Sequence, residues 1–265
     1  VTLCEGYYIV LNGGFVMFVE GTISLTEVLR LLHIRTLTAA FSPVLLGATF
    51  AMYQYEPYES IPVIIFHLVL LLLTVLIAQG ATNVWNEYHD FASGLDLGQT
   101  VGNSGSITKQ NVSPRIVKKI GIYMLGGALI LGILLSMLTT LWLIPIGLLC
   151  ITIAYCYSGG PYPISRTPFG ELASGFAMGF AIVMIAAFLW AGRIHWGMMI
   201  PAIPSTVLIG LILQCNSLRD MVNDAQHGRK TLPIIIGRDN TLQVMAISYT
   251  LIFAFHITLQ SCFFC

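Results

Sequence analysis

The chain has 265 residues, of which 56% are hydrophobic and only 9% are charged, with a formal net charge of zero and a mean hydropathy of +0.83. Soluble domains carry about 25% charged residues, so the composition excludes a water-soluble globular domain and points to an integral membrane protein. No nucleic-acid partner is expected.

Residues 1–34 form an N-terminal segment without an assignment. Within it, "YYIVLNGGFVMFV" (7–19) is too short to cross a membrane and is interrupted by Gly13 and Gly14. Its look of a signal peptide is weak, because it lacks a basic leading region. From residue 35 to 265 the sequence reads as one transmembrane domain. Crossing the hydrocarbon takes about 20 apolar residues, and charge-free runs place seven helices at 36–54, 61–82, 120–138, 140–157, 172–191, 197–215 and 241–260. The third and fourth come from a single long run, folded into a hairpin at "MLTTLW" (137–142). The expected fold is therefore all-α, a polytopic helical bundle.

Basic residues favour cytoplasmic loops. With the segment before the first helix placed inside, eleven of the twelve Lys and Arg residues fall on the cytoplasmic face and only Arg193 falls outside. All acidic residues except Glu56 and Glu59 share that face. The six cysteines show no disulfide or zinc spacing, and those within helices read as small apolar residues.

Three inner loops, 83–119, 156–171 and 216–240, carry the chemistry. Two of them open on the same pattern: Asn83-Val-Trp-Asn86-Glu87 and Asn216-Ser-Leu-Arg219-Asp220 both read Asn-x-x-[Asn/Arg]-acid, as a duplication would leave them. On a helix, residues three and four apart share a face. Asn83, Asn86 and Asp90 would then form one stripe and Asn216, Asp220 and Asp224 another, with Glu87 beside the first and Asp96 shortly after it. Facing stripes of amide and carboxylate oxygens would make a hard-oxygen cage, which selects magnesium over zinc. A glycine-containing basic loop trails each stripe: "VGNSGSITK" (101–109), ending at Lys109, and "HGRKTL" (227–232), with Arg229 and Lys230. Backbone N–H groups and fixed cations of this kind hold phosphate oxygens. Neither loop fits the pattern of nucleotide hydrolases, and a site at a bilayer face suits a diphosphate with an apolar tail. One such cluster alone could equally be interface solvation, but two matched clusters argue for a site.

The stretches "NVWNEYHDFASGLD" (83–96) and "NSLRDMVNDAQHGRKTL" (216–232) resemble the two signatures of the UbiA prenyltransferase superfamily, and "TVGNSGSI" (100–107) with "YSGGPYPISRTPFGEL" (157–172) resembles its menaquinone-pathway branch. The resemblance covers about residues 35–240. It implies a bundle of usually nine spans around a cavity that opens to the cytoplasm and to lipid, in a multi-pass protein of the cell membrane. It also implies an Mg2+-dependent transfer of a polyprenyl group from a polyprenyl diphosphate to 1,4-dihydroxy-2-naphthoate, with decarboxylation. By position, Asn86, Asp90, Asp220 and Asp224 match the metal-binding and catalytic residues, and Asn83, Glu87, Asp96 and Asn216 complete the signatures. Lys109, Arg219, Arg229 and Lys230 are candidates for the diphosphate. Tyr155, Tyr157 and Tyr162 are candidates for the aromatic acceptor, or for the aromatic belt at the membrane interface. The chain departs from the pattern in its seven spans, in "LLHIRTLT" (31–38) where the superfamily has Arg-Pro, and in Ser217 where the branch often has Asn. Two other readings are a different acceptor, such as 4-hydroxybenzoate, and an ion-coupled transporter. The second would need polar residues at midspan, whereas the acids here gather at one face.

Overall fold

The long apolar runs become long helices because lipid offers no partner for backbone N–H and C=O groups, which must pair within the segment. The computed structural model describes residues 8–11, 14–17, 25–95, 106–108 and 112–263. All seven expected spans are helical: α2 (Thr38–Gln54), α3 (Ile61–Ala92), α4 (Pro114–Leu138), α5 (Leu143–Ser158), the run from α6 (Gly170–Ser174) to α7 (Ile182–Ala191), α8 (Met199–Gln226) and α10 (Arg238–Phe263). Five of these, α3, α4, α6–α7, α8 and α10, are long and apolar enough to cross a membrane. The 17 residues of α2 and 16 of α5 reach only about 25 Å at the helical rise. Short helices α1 (Leu25–Leu31) and α9 (Leu232–Ile236) lie outside the spans.

The N-terminal segment contains the one departure from an all-helical chain among the described residues. Strands β1 (Tyr8–Leu11) and β2 (Gly14–Met17) pair antiparallel, from Tyr8 opposite Met17 to Leu11 opposite Gly14. The dipeptide between them in sequence is Asn12-Gly13, a strong hairpin signal because both residues accept positive φ at low cost.

The chain forms two compact units, each drawn from discontinuous stretches. The first holds residues 1–42 and 65–163. Its core gathers Leu31, Val84, Phe91, Ile107, Val112 and Val117, so the C-terminal end of α3 is packed against α1 and the start of α4. The α4–α5 hairpin turns where the sequence placed it: Thr139 N–H donates to Ser136 O at 3.4 Å and Leu143 N–H to Thr140 O at 3.2 Å.

The second unit holds residues 43–64 and 164–265. Between α6 and α7 the helix widens to π winding over Gly175–Ala181, a rare geometry concentrated at functional sites. Its glycines allow close packing on α8: a Cβ at Gly175 would stand 2.5 Å from Thr206 O, and one at Gly179 would stand 2.6 Å from Thr206 Cα. At the opposite end of this unit, Trp190 Nε1 donates to Tyr55 O at 2.9 Å, and Tyr58 N–H donates to Trp190 O at 2.8 Å. Leu211, Leu218 and Met245 form a small core shared by α8 and α10. Large apolar side chains are exposed on helices of both units, Ile130 and Met137 on α4 and Leu251 and Phe253 on α10, which suits a lipid solvent rather than water.

Candidate functional site

In the first unit, α3 runs on to Ala92, well past residue 82, so Asn83, Asn86, Glu87 and Asp90 do sit on one helix end as the spacing predicts. Gly94, at φ 79°, lies just beyond it, the left-handed conformation that ends helices. Two of these residues, Asn83 and Glu87, are tied to backbone. Asn83 Nδ2 donates to Leu32 O at 2.9 Å and to Thr36 Oγ1 at 3.0 Å, which pins the chain as it enters α2. Glu87 is buried, and its Oε1 accepts the Ser106 backbone N–H at 3.1 Å. Asn86 Oδ1 accepts the Ser158 hydroxyl at 2.7 Å, a link to the last residue of α5. Asp90 is half-buried.

The other face of the same helix end carries rings at i, i+3 and i+4. Trp85 meets His89 edge-on at 4.8 Å and Tyr155 of α5 at 5.3 Å, and Tyr88 meets His89 at 5.1 Å. Lys118 Nζ stands 5.5 Å from the centre of the Tyr88 ring, within cation–π range. Only glycine fits at 159, since a Cβ there would come 2.7 Å from Trp85 Nε1. Of the three candidate tyrosines, Tyr155 therefore joins a ring cluster, Tyr157 is half-buried and Tyr162 is 88% exposed. Trp85 and Tyr88 were not among the expected site residues. Their i, i+3 spacing on a helix was the available signal.

His33, between α1 and α2, takes the left-handed φ of 48°. Burial lowers its pKa below the ordinary histidine value, and the nearby Glu87 carboxylate opposes that shift in part.

In the second unit, α8 likewise continues to Gln226, past the expected end at residue 215. Asn216 is exposed, Asp220 half-buried and Asp224 buried. Arg219 grips Asp220 as a fork, Nε to Oδ1 at 2.9 Å and Nη2 to Oδ2 at 2.6 Å. Asp224 faces Arg229, with Nη1 to Oδ1 at 3.4 Å, and Oδ1 makes no hydrogen bond. The loop returns Arg229 to this position through its own backbone: Arg229 N–H donates to Asp224 O at 3.0 Å, after Gly228 takes φ 73°. Lys230 N–H donates to Arg166 O at 2.9 Å while its side chain stays exposed. Asp96 and Lys109 lie outside the described residues.

Among the described residues, no three His, Cys, Asp or Glu side chains gather as a metal group. The acids of α8 come with their own guanidinium groups, while on α3 Glu87 accepts a backbone N–H and Asn86 a serine hydroxyl.

A polytopic helical membrane protein with acid–amide clusters at helix ends is the class that these features define. Residues 22–264 match the UbiA prenyltransferase family, and the chain belongs to that family. It is 38% identical over 214 residues to the 1,4-dihydroxy-2-naphthoate octaprenyltransferase of Bacillus subtilis (strain 168), covering 81% of this chain and 67% of the relative. It is 30% identical over 208 residues to the enzyme of the same name from Mycobacterium tuberculosis, covering 78% and 68%. Its fold resembles that of a UbiA homolog from Archaeoglobus fulgidus solved with DMAPP and Mg2+, with a TM-score of 0.66 and 17% identity over 86% of this chain and 76% of that one. The chain is thus a multi-pass membrane protein of a prenyltransferase family.

Proposed function

We infer that the protein transfers a polyprenyl group from a polyprenyl diphosphate to 1,4-dihydroxy-2-naphthoate, releasing the ring carboxyl as carbon dioxide, in menaquinone biosynthesis. The observation that carries this reading is the inner end of α8, where Asp220 and Asp224 each lie against a guanidinium. Acids that hold a metal beside cations that hold phosphate oxygens suit a diphosphate. The names of the relatives from B. subtilis and M. tuberculosis support the choice of acceptor.

Asn86 and Asp90 on α3, and Asp220 and Asp224 on α8, are the residues that would hold Mg2+. The donor set fits: magnesium takes one or two protein carboxylates and completes its shell with water and phosphate oxygens, and Asp224 has a buried carboxylate oxygen with no hydrogen bond to give up. Bound magnesium neutralises the diphosphate and makes it a better leaving group. Arg219, Arg229 and Lys230, with Lys109, bind the diphosphate oxygens. Arg219 turns from Asp220 toward the phosphate when substrate arrives. Asn83, Glu87 and Asn216 support these groups, as does Asp96. Aromatic side chains, Tyr155 among them, shield the allylic cation from water and attract it to their faces. The reaction takes place on the cytoplasmic side of the cell membrane, a reading supported by the gathering of basic residues in the loops on one side.

Membranes containing the protein, supplied with Mg2+, a polyprenyl diphosphate and dihydroxynaphthoate, should yield a prenylated naphthalene lighter by carbon dioxide in the mass spectrum. A product formed only from 4-hydroxybenzoate would overturn the acceptor.

A further inference from the structure

Two polar side chains of the second unit have no role in the account above. Glu171 lies on α6, and both of its carboxyl oxygens are buried without a hydrogen-bond partner. Gln214 lies on α8 and is 4% exposed, with its Nε2 buried and likewise unpartnered. Helices α6 and α8 pack on each other. Gly210, one turn before Gln214, permits the approach, since a Cβ there would stand 3.2 Å from Glu171 O. Buried polar atoms in native proteins are nearly always satisfied, because an unmade hydrogen bond leaves the desolvation penalty uncompensated. Polar residues inside membrane helices mark functional sites for the same reason.

The pair has a definite chemistry. The carboxyl oxygens of Glu171 accept hydrogen bonds, and the Nε2 of Gln214 donates them. A diphosphate is excluded as the ligand of Glu171, because phosphate oxygens are anionic acceptors and would meet a carboxyl group. The polyprenyl tail offers no polar group. What remains is a ligand that presents a hydroxyl beside an oxygen acceptor, as a hydroxylated aromatic acid does.

We propose that Glu171 and Gln214 bind the polar edge of the aromatic acceptor, Glu171 accepting a hydrogen bond from a ring hydroxyl and Gln214 Nε2 donating one to a neighbouring oxygen of the same molecule. The proposal rests on the reading of the protein as an aromatic prenyltransferase and adds the residues that recognise the acceptor. A hydroxyl that donates to a carboxylate releases electron density into its ring, which strengthens the ring carbon as a nucleophile. The arrangement therefore orients the acceptor and activates it together.

The test measures initial rates in the full-length protein with each substrate varied in turn, for wild type, Glu171→Gln and Gln214→Leu. Losing one hydrogen bond of this kind to a buried partner is expected to raise the KM for dihydroxynaphthoate about tenfold or more. The KM for the polyprenyl diphosphate should stay within about twofold, and the melting temperature of Glu171→Gln should match or exceed that of wild type, because an unpaired buried carboxyl has been removed. An acceptor in which the hydroxyl is methylated should lose its disadvantage in Glu171→Gln. If wild type forms product while the acceptor KM of Glu171→Gln is unchanged, or if that variant melts lower with both KM values intact, the proposal is overturned alone. If wild type forms no product from dihydroxynaphthoate, the parent reading falls and the proposal falls with it.

Discussion

The C-terminal ends of α3 and α8 carry the same Asn-x-x-[Asn/Arg]-acid pattern and use it differently. On α3 the amides and the acid are engaged by the surrounding chain: Asn83 holds Leu32 and Thr36, Asn86 accepts from Ser158 and Glu87 accepts from Ser106. On α8 the acids meet guanidinium groups, and one buried oxygen of Asp224 accepts no hydrogen bond. The fourth position of the pattern marks the difference, Asn86 against Arg219. Asn83 and Glu87, tied to backbone, fix the shape of their own unit, whereas Asp220 and Asp224 bring cations suited to an anionic ligand.

The comparison breaks first at Asp224. Asp224→Asn should lower kcat/KM by about a hundredfold or more, about 2.7 kcal/mol of transition-state stabilisation. The folded protein should lose some stability, because the change breaks the buried ion pair between Asp224 Oδ1 and Arg229 Nη1 at 3.4 Å. Thermal unfolding alongside the rates checks both parts, and a loss of folding would show that the carboxylate serves structure instead. Asn83→Leu should do the reverse. It removes two hydrogen bonds and strands the Leu32 carbonyl, at a cost of about 1–3 kcal/mol of stability, with turnover per folded molecule preserved. A lower melting temperature with an unchanged active-fraction kcat is the expected pair of readings.

The smallest effect concerns His33. Its folded pKa lies below the ordinary value of 6.5, so the unfolded chain binds the proton more readily than the native one. Stability is then full above that value and declines as pH falls through it. His33→Asn keeps a residue that tolerates the left-handed backbone and removes the titrating group. Its melting temperature should fall less than that of wild type between pH 7 and pH 5.

Helix existence and type were legible because lipid demands long apolar runs, and all seven runs are helical. The C-terminal ends of two of them were not, because α3 and α8 continue for several turns through polar residues that hydropathy assigns to loops. The pairing of β1 with β2 had a signal in the dipeptide Asn12-Gly13 that separates them in sequence. The π turn at Gly175–Ala181 has no sequence period of its own, and it depends on how Gly175 and Gly179 meet Thr206 across two helices. In the candidate site, the shared faces of Asn83, Asn86 and Asp90 and of Asn216, Asp220 and Asp224 follow from helical spacing. Asn83 and Glu87 each have a backbone partner distant in sequence, Leu32 O and the Ser106 N–H, and backbone atoms carry no residue code to read. The fork between Arg219 and Asp220 joins sequence neighbours, yet the sequence suggested phosphate for one and metal for the other. Both uses remain compatible with a pair that opens when substrate binds.

The central claim is that the acids of α8 work through magnesium on a lipid diphosphate. The most direct measurement is the initial rate of prenyl transfer against free Mg2+, after removal of metal by a chelator, for wild type and Asp224→Asn. Wild type should be inactive without metal and recover saturably as Mg2+ is restored, while Asp224→Asn should need more metal and reach a far lower plateau. Full transfer by the chelated wild type, or the same Mg2+ dependence in both proteins, would contradict the account.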